Sequence, residues 1–239
     1  MPPAPFLPLS LLGALLGLDV VSFGQAMASR PIVAATLAGW LAGDVHAGFL
    51  VAAILELIAV ETLPVGASRY PEWGSASVVG GALAAHATVT MGGVGAENAV
   101  GVDAGITCVA VLFALGTAWV SGYSMVLLRT LNGRLARRSI PRVAAGDGGR
   151  VHALQLAGLG VDFLRGLAIT AVGLTVLTPV MAAALRTWHA DMRLSRAVVV
   201  GLAAMVAGKA VWSLFHAVPR ARWLFVGGLA IGLAALALG

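Results

Sequence analysis

Long apolar runs separated by short polar segments organise this chain. Residues 75–91, 104–128, 154–185, 197–215 and 223–238 approach or exceed the roughly 20 apolar residues that carry a helix across the hydrocarbon layer of a bilayer. The run over 154–185 reads as one long or broken element. Residues 31–60 follow another pattern. Two apolar pieces, 32–42 and 47–60, flank Gly43-Asp44-Val45-His46, and each is short for an independent crossing. Paired short segments interrupted by glycine and a charge are where transporters with broken helices place their binding region. The pattern predicts an all-α polytopic membrane protein with short re-entrant or broken helices in its first third.

Composition narrows the class. Of the 239 residues, 59% are hydrophobic and 10% charged, and the mean hydropathy is +0.95. A soluble domain carries about 25% charged residues to solvate its surface. This chain lacks the polar atoms for such a surface, which argues against a soluble enzyme, a disordered chain and a disulfide scaffold. Charge is divided unevenly: residues 1–128 hold seven acids against Arg30 and Arg69, and residues 129–239 hold thirteen bases against three acids. Arg129, Arg134, Arg137, Arg138, Arg142 and Arg150 fall in one hydrophilic segment, which the positive-inside rule places in the cytoplasm. No aromatic platform accompanies them, so topology and not nucleic acid accounts for the pI of 10.6.

Three regions follow. A membrane region over 1–128 holds the candidate substrate site within 29–80. A basic cytoplasmic loop over 129–153 includes a flexible Gly146-Asp147-Gly148-Gly149, and membrane helices fill 154–239. Segment 6–28 lacks the leading basic residues of a signal peptide and is interrupted by Asp19, so it is expected to be retained. Cys108, alone in an apolar run, reads as a buried structural thiol. Glycines spaced by four (Gly13/Gly17, Gly39/Gly43, Gly101/Gly105, Gly228/Gly232) offer flat grooves where another backbone can approach.

Ionisable groups inside apolar runs carry the candidate chemistry, because burying charge in lipid is costly. Glu56 has apolar neighbours on both sides, and two roles suit it: accepting hydrogen bonds from sugar hydroxyls, or tying helices together. Residues 61–74 are broken by Pro64 and Pro71 and relaxed by Gly66 and Gly74. Irregular backbone at membrane depth is tolerated where it lines protein or water. This stretch carries Glu61, Arg69, Tyr70, Glu72 and Trp73. Its carboxylates can take sugar hydroxyls while a ring stacks on the apolar sugar face; an interfacial loop with Tyr and Trp anchors is the alternative.

Arg30-Pro31 opens the first short helix, with Ser29 as a candidate cap. Its electropositive end suits a substrate or a carboxylate, although a plain helix start with a snorkelling arginine fits the same residues. The five histidines show no metal-ligand spacing, and no phosphate loop, nucleophile elbow or dinucleotide fingerprint occurs. No cofactor, metal or catalytic residue is expected of the chain by itself.

Ser29-Arg30-Pro31-Ile32-Val33, Thr36-Leu37-Ala38-Gly39, Gly43-Asp44, Leu55-Glu56-Leu57-Ile58, Gly66-Ala67 and Pro71-Glu72 follow one another in an order and spacing that resemble a known family. It is the IIC permease subunit of the mannose/fructose/sorbose class of the bacterial phosphoenolpyruvate-dependent sugar phosphotransferase system. The resemblance implies a subunit of the inner membrane that pairs with a IID membrane subunit to form the pathway for a hexose-type sugar. Cytoplasmic IIA and IIB proteins then supply the phosphate, and the assembly is an oligomer. Matched position by position, Glu56, Gly66, Pro71 and Glu72 fall on the family's substrate-region motif, and Arg30, Pro31, Gly43 and Asp44 on the segment before it. Glu61 belongs to the same stretch but departs from the family pattern, which has glycine there; Pro64 stands where asparagine is usual. Those departures leave an ion-coupled secondary transporter, or a regulatory scaffold without transport, as the other reading.

Overall fold

The segment that follows Pro71-Glu72 becomes the centre of the molecule. A computed structural model describes residues 6–60 apart from 20, 21, 23 and 25, then 70–91 and 99–187, with separate helical positions between 197 and 231. Its helices are α1 (Phe6–Asp19), α2 (Pro31–Ala42), α3 (Val45–Ala59), α4 (Trp73–Met91), α5 (Ala99–Ala144) and α6 (Gly148–Arg186), and no strand occurs among the described residues. The chain is an all-α membrane protein. The expected spans over 197–215 and 223–238 lie largely outside the described residues.

Every side chain from Trp73 to Ala85 in α4 is buried, and nine of those positions are Gly, Ala or Ser. A helix without a polar face belongs in an interior. Here α4 touches α1, α2, α3, α5 and α6. Lipid tails are as apolar as leucine, so helix association in a membrane relies on close van der Waals packing between small residues. A methyl group on Gly81 would lie 2.8 Å from both Cα and the carbonyl carbon of Ala35 on α2. One on Gly74 would lie 2.5 Å from the carbonyl oxygen of Leu16 on α1. The backbones themselves are in contact. On α1, Gly13 leaves room for the Thr170 side chain of α6, and a methyl group on Gly17 would lie 3.0 Å from Ser75 Oγ and 3.9 Å from the Gly166 Cα.

Helices α2 and α3 form a tight hairpin. Gly43 takes φ 101°, a left-handed conformation that stops α2, and its N–H returns to the Trp40 carbonyl at 3.2 Å. Asp44 then starts α3 by accepting the Ala47 N–H at 3.0 Å. Within the hairpin a methyl group on Gly39 would lie 2.6 Å from the Gly48 Cα. The 12 residues of α2 extend about 18 Å and the 15 of α3 about 22 Å, short of the ~30 Å hydrocarbon core.

The basic segment differs from the loop expected of it. Helix α5 runs on through Arg129 to Ala144, because its Leu, Ala and Arg residues are strong helix formers in any solvent. Reversal takes only Ala145, Gly146 (φ 91°) and Asp147, and Gly148-Gly149 already belong to α6, where Asp147 accepts the Arg150 N–H at 3.1 Å. The region is a helical hairpin. Both long helices contain windows apolar enough to cross a membrane; 67% of the window in α5 is buried but 17% of that in α6. Accordingly α5 belongs to the interior and α6 to the periphery.

Gly81→Leu is expected to abolish the folded bundle and Gly81→Ala to cost about 1–3 kcal/mol through overpacking, whereas Gly116→Ala, with nothing within 4 Å of the new methyl, leaves it intact. Thermal melting of the detergent-solubilised protein checks this, and equal melting of Gly81→Ala and Gly116→Ala would contradict the α2–α4 contact.

Candidate functional site

Polar groups inside such a bundle must find partners, since lipid supplies none. The ion pairs collect at the end of α4 that faces the basic hairpin. At the start of α2, Pro31 has no N–H and the Ser29 hydroxyl does not cap the helix; Arg30 occupies the cap position with no side-chain cap bond. Glu56 does the capping from α3. Its Oε2 accepts the Ile32 N–H at 3.1 Å, while Oε1 accepts from Arg30 Nε at 2.7 Å and also from Nη2. The charge matches the electropositive helix end. The pair is half-buried, with side-chain exposures of 28% for Arg30 and 22% for Glu56. Arg30 Nη1 has no hydrogen-bond partner among the described residues.

Ser29 serves its neighbour instead. Its N–H donates to Asp19 Oδ2 at 2.8 Å and the Ala26 N–H to Asp19 Oδ1 at 2.7 Å, so the buried carboxylate ending α1 folds the connection to α2 around itself. Ser22 in the same connection donates to Asp162 of α6.

Asp162 leads into a second, sealed cluster. Arg165 Nε donates to Asp162 Oδ1 at 2.8 Å, and Nη1 donates to Ser121 Oγ at 2.9 Å and Ser124 Oγ at 3.2 Å on α5. Ser121 Oγ donates to Glu72 Oε2 at 2.5 Å, and Glu72 Oε1 accepts the Ser75 N–H at 3.1 Å. Exposure falls to 8% for Arg165, 1% for Asp162 and 0% for Glu72, with Arg165 Nη1 4.0 Å from Glu72 Oε2. Just before it, the backbone at Tyr70 packs on Gly122, the Glu72 N–H donates to the Ala118 carbonyl at 3.0 Å, and Arg129 Nη2 donates to the Tyr70 hydroxyl at 2.6 Å. Burial pushes the Tyr70 phenol above its usual range against the pull of the Arg129 charge, so the hydroxyl stays protonated.

The residues singled out in the sequence therefore divide. Arg30 and Glu56 come together. Glu72 points into the bundle, away from lipid, and Pro71 beside it packs near Gly122. Asp44 caps α3 at the far tip of the hairpin, about one helix length, roughly 18 Å, from Arg30. Glu61 and Gly66 lie outside the described residues, as do Pro64 and Arg69. Asp162 and Arg165 were missed, although oppositely charged residues three apart in the apolar run 154–185 are a readable sign of a buried pair. No cluster of three or more metal-ligating side chains occurs among the described residues.

Among the described residues, two cavities lie elsewhere. One of about 450 Å³ between α5 and α6 is apolar, lined by Leu112, Phe113, Val172 and Val176. The other, of about 410 Å³, sits at the opposite end of α4, where His86, Thr90, Thr178 and Arg186 edge an apolar floor. Neither includes Arg30 or Glu56.

A bundle of this kind, with short apolar helices, two long apolar helices among the described residues and its ion pairs gathered at one end of α4, has the form of a membrane transport subunit. The model of the family described as PTS system sorbose-specific IIC component matches residues 6–211, and the chain belongs to that family. No match to a curated protein is found.

Arg165→Met is expected to strip Glu72 and Asp162 of their common cation and to lower stability by about 3–5 kcal/mol, with partial recovery in Arg165→Met/Asp162→Asn. Thermal melting in detergent reads it; a single variant as stable as the parent would show that the cluster holds nothing together.

Proposed function

We propose that this chain is the permease subunit that conducts sugar for a phosphotransferase system in the bacterial cytoplasmic membrane. It builds the pathway with a IID subunit in an oligomeric complex, and cytoplasmic IIA and IIB proteins supply the phosphate. The chain itself performs no phosphoryl transfer; its part is to bind and pass the sugar. Membership of the sorbose-specific IIC family supports the reading at the level of the subunit class.

The observation that carries the site is the half-exposed Arg30–Glu56 pair at the open end of the α2–α3 hairpin. A sugar needs donors and acceptors side by side. The guanidinium offers N–H groups at fixed angles, and the carboxylate keeps a lone-pair site on Oε2 beyond the three bonds it accepts. The stretch that leaves α3 immediately afterwards carries Glu61 and Gly66 and returns to Pro71-Glu72. In this reading Arg30, Glu56 and the 61–69 stretch contact the sugar. Glu72 acts by fixing where that stretch re-enters the bundle, and Asp44 by shaping the hairpin tip.

Glu56→Ala is expected to abolish phosphoenolpyruvate-dependent sugar uptake in cells carrying the complete system, while the protein remains in the membrane fraction. Glu56→Gln, which keeps the shape and one acceptor oxygen, retains a residue of uptake. Full uptake by the alanine variant removes Glu56 from the pathway, and uptake that follows an ion gradient without phosphoenolpyruvate replaces the reading with a secondary transporter.

A further inference from the structure

The arginines of the helical hairpin separate into two sets. Arg129 is held by Tyr70, and Arg150 Nε donates to the buried Ser139 hydroxyl at 3.3 Å. Arg134, Arg137, Arg138 and Arg142 are exposed and have no ion pair or hydrogen bond among the described residues. Between residues 129 and 161 Asp147 is the sole acid, and its carboxylate caps α6. Among the described residues four positive charges therefore stand uncompensated.

Their placement is directional. At about 100° per residue the four fall within an arc of about 140° on α5. The buried Ser139 and half-buried Leu135 and Asn132 lie beside or opposite that arc, on the side that meets α6. Topology requires an excess of basic residues near a span, not their alignment on one helical face.

Position along the axis separates the candidate partners. Arg129 is the first base after the apolar run 104–128, and beyond it along the helix Arg134 stands about 8 Å and Arg142 about 20 Å further from that run. Attraction to an anionic bilayer fades over a Debye length of ~8 Å at physiological salt, so a flat lipid surface engages the first of the four and not the last. A protein surface lying along the flank of α5 meets all of them.

We propose that this arginine face is the docking surface for an acidic patch on the soluble phosphocarrier subunit that serves the complex. The proposal rests on the phosphotransferase reading above for the identity of that partner. Docking along the hairpin holds a phosphate donor at the end of the bundle where Arg30 and Glu56 lie. Charge complementarity of this sort acts through the encounter rate and is weakened by salt.

The test is binding of purified, phosphorylated IIB protein to proteoliposomes that hold this chain with its IID partner, measured by co-sedimentation. Arg134→Glu/Arg137→Glu/Arg138→Glu/Arg142→Glu is expected to weaken binding by about tenfold or more, and the four-lysine counterpart to stay within about threefold of the parent. Raising salt weakens the parent and barely changes the glutamate variant. Equal binding by parent and glutamate variant overturns the proposal. So does a loss seen only in phosphatidylglycerol vesicles and absent from phosphatidylcholine ones, which would assign the face to lipid. Charge-dependent binding without sugar phosphorylation leaves docking standing and removes the transport reading instead.

Discussion

The bundle rests on how little side-chain volume α4 carries. Helices bearing leucines at their contacts stand 8–10 Å apart, whereas Gly81 lets α2 lay its backbone directly on α4, and Gly74 does the same for α1. In lipid no hydrophobic gain compensates for a looser fit. The contact also sets depth. With Ala35 fixed opposite Gly81 and Gly43 opposite Val89, α2 cannot slide, and the level of Arg30 in the membrane is decided. A polar pair at the wrong depth would meet acyl chains.

Below that contact, charge does what small residues do above it. Arg165 on α6 reaches Asp162 on its own helix, Ser121 and Ser124 on α5, and approaches Glu72 ahead of α4, so one guanidinium indexes three elements. Buried ion pairs add little net stability, because desolvation offsets the attraction. What they do resist is rearrangement, since any shift that separates the partners leaves an uncompensated charge in a medium without water. The connection between α1 and α2 is bound into the same layer through Ser22 and Asp19.

Most of the architecture could be read from apolar run length. Helix α4 was placed within two residues at its start because Pro71 ends what precedes it, and the hairpin tip was legible because Gly43-Asp44 is both a stop and a cap. The basic segment was misjudged for a definite reason. Hydrophilicity marks exit from the membrane, but Leu-Ala-Arg sequence stays helical on either side of that boundary. Among the site residues, Arg30 and Glu56 each signalled burial, yet their pairing across 26 residues is a property of the hairpin's register, which pattern alone does not give. Asp162 and Arg165 lay hidden in a run long enough to be taken as uniformly apolar.

The Arg30–Glu56 pair and the Arg165 cluster differ in how readily they open. Removing one partner of a buried charge cluster costs about 3–5 kcal/mol, a barrier that suits a scaffold. A half-exposed pair is worth about 0–1 kcal/mol once solvent screening and side-chain entropy are counted. Opening Arg30 from Glu56 is therefore cheap, provided something else satisfies the Ile32 N–H and the carboxylate. Sugar hydroxyls, which donate and accept at once, can replace both halves of the pair without leaving either group bare. Glu72, without exposure and held by Ser75 and Ser121, has no such freedom. If one layer both holds the bundle and exchanges partners with a passing ligand, the exchange belongs to the pair that the rest of the layer leaves half open.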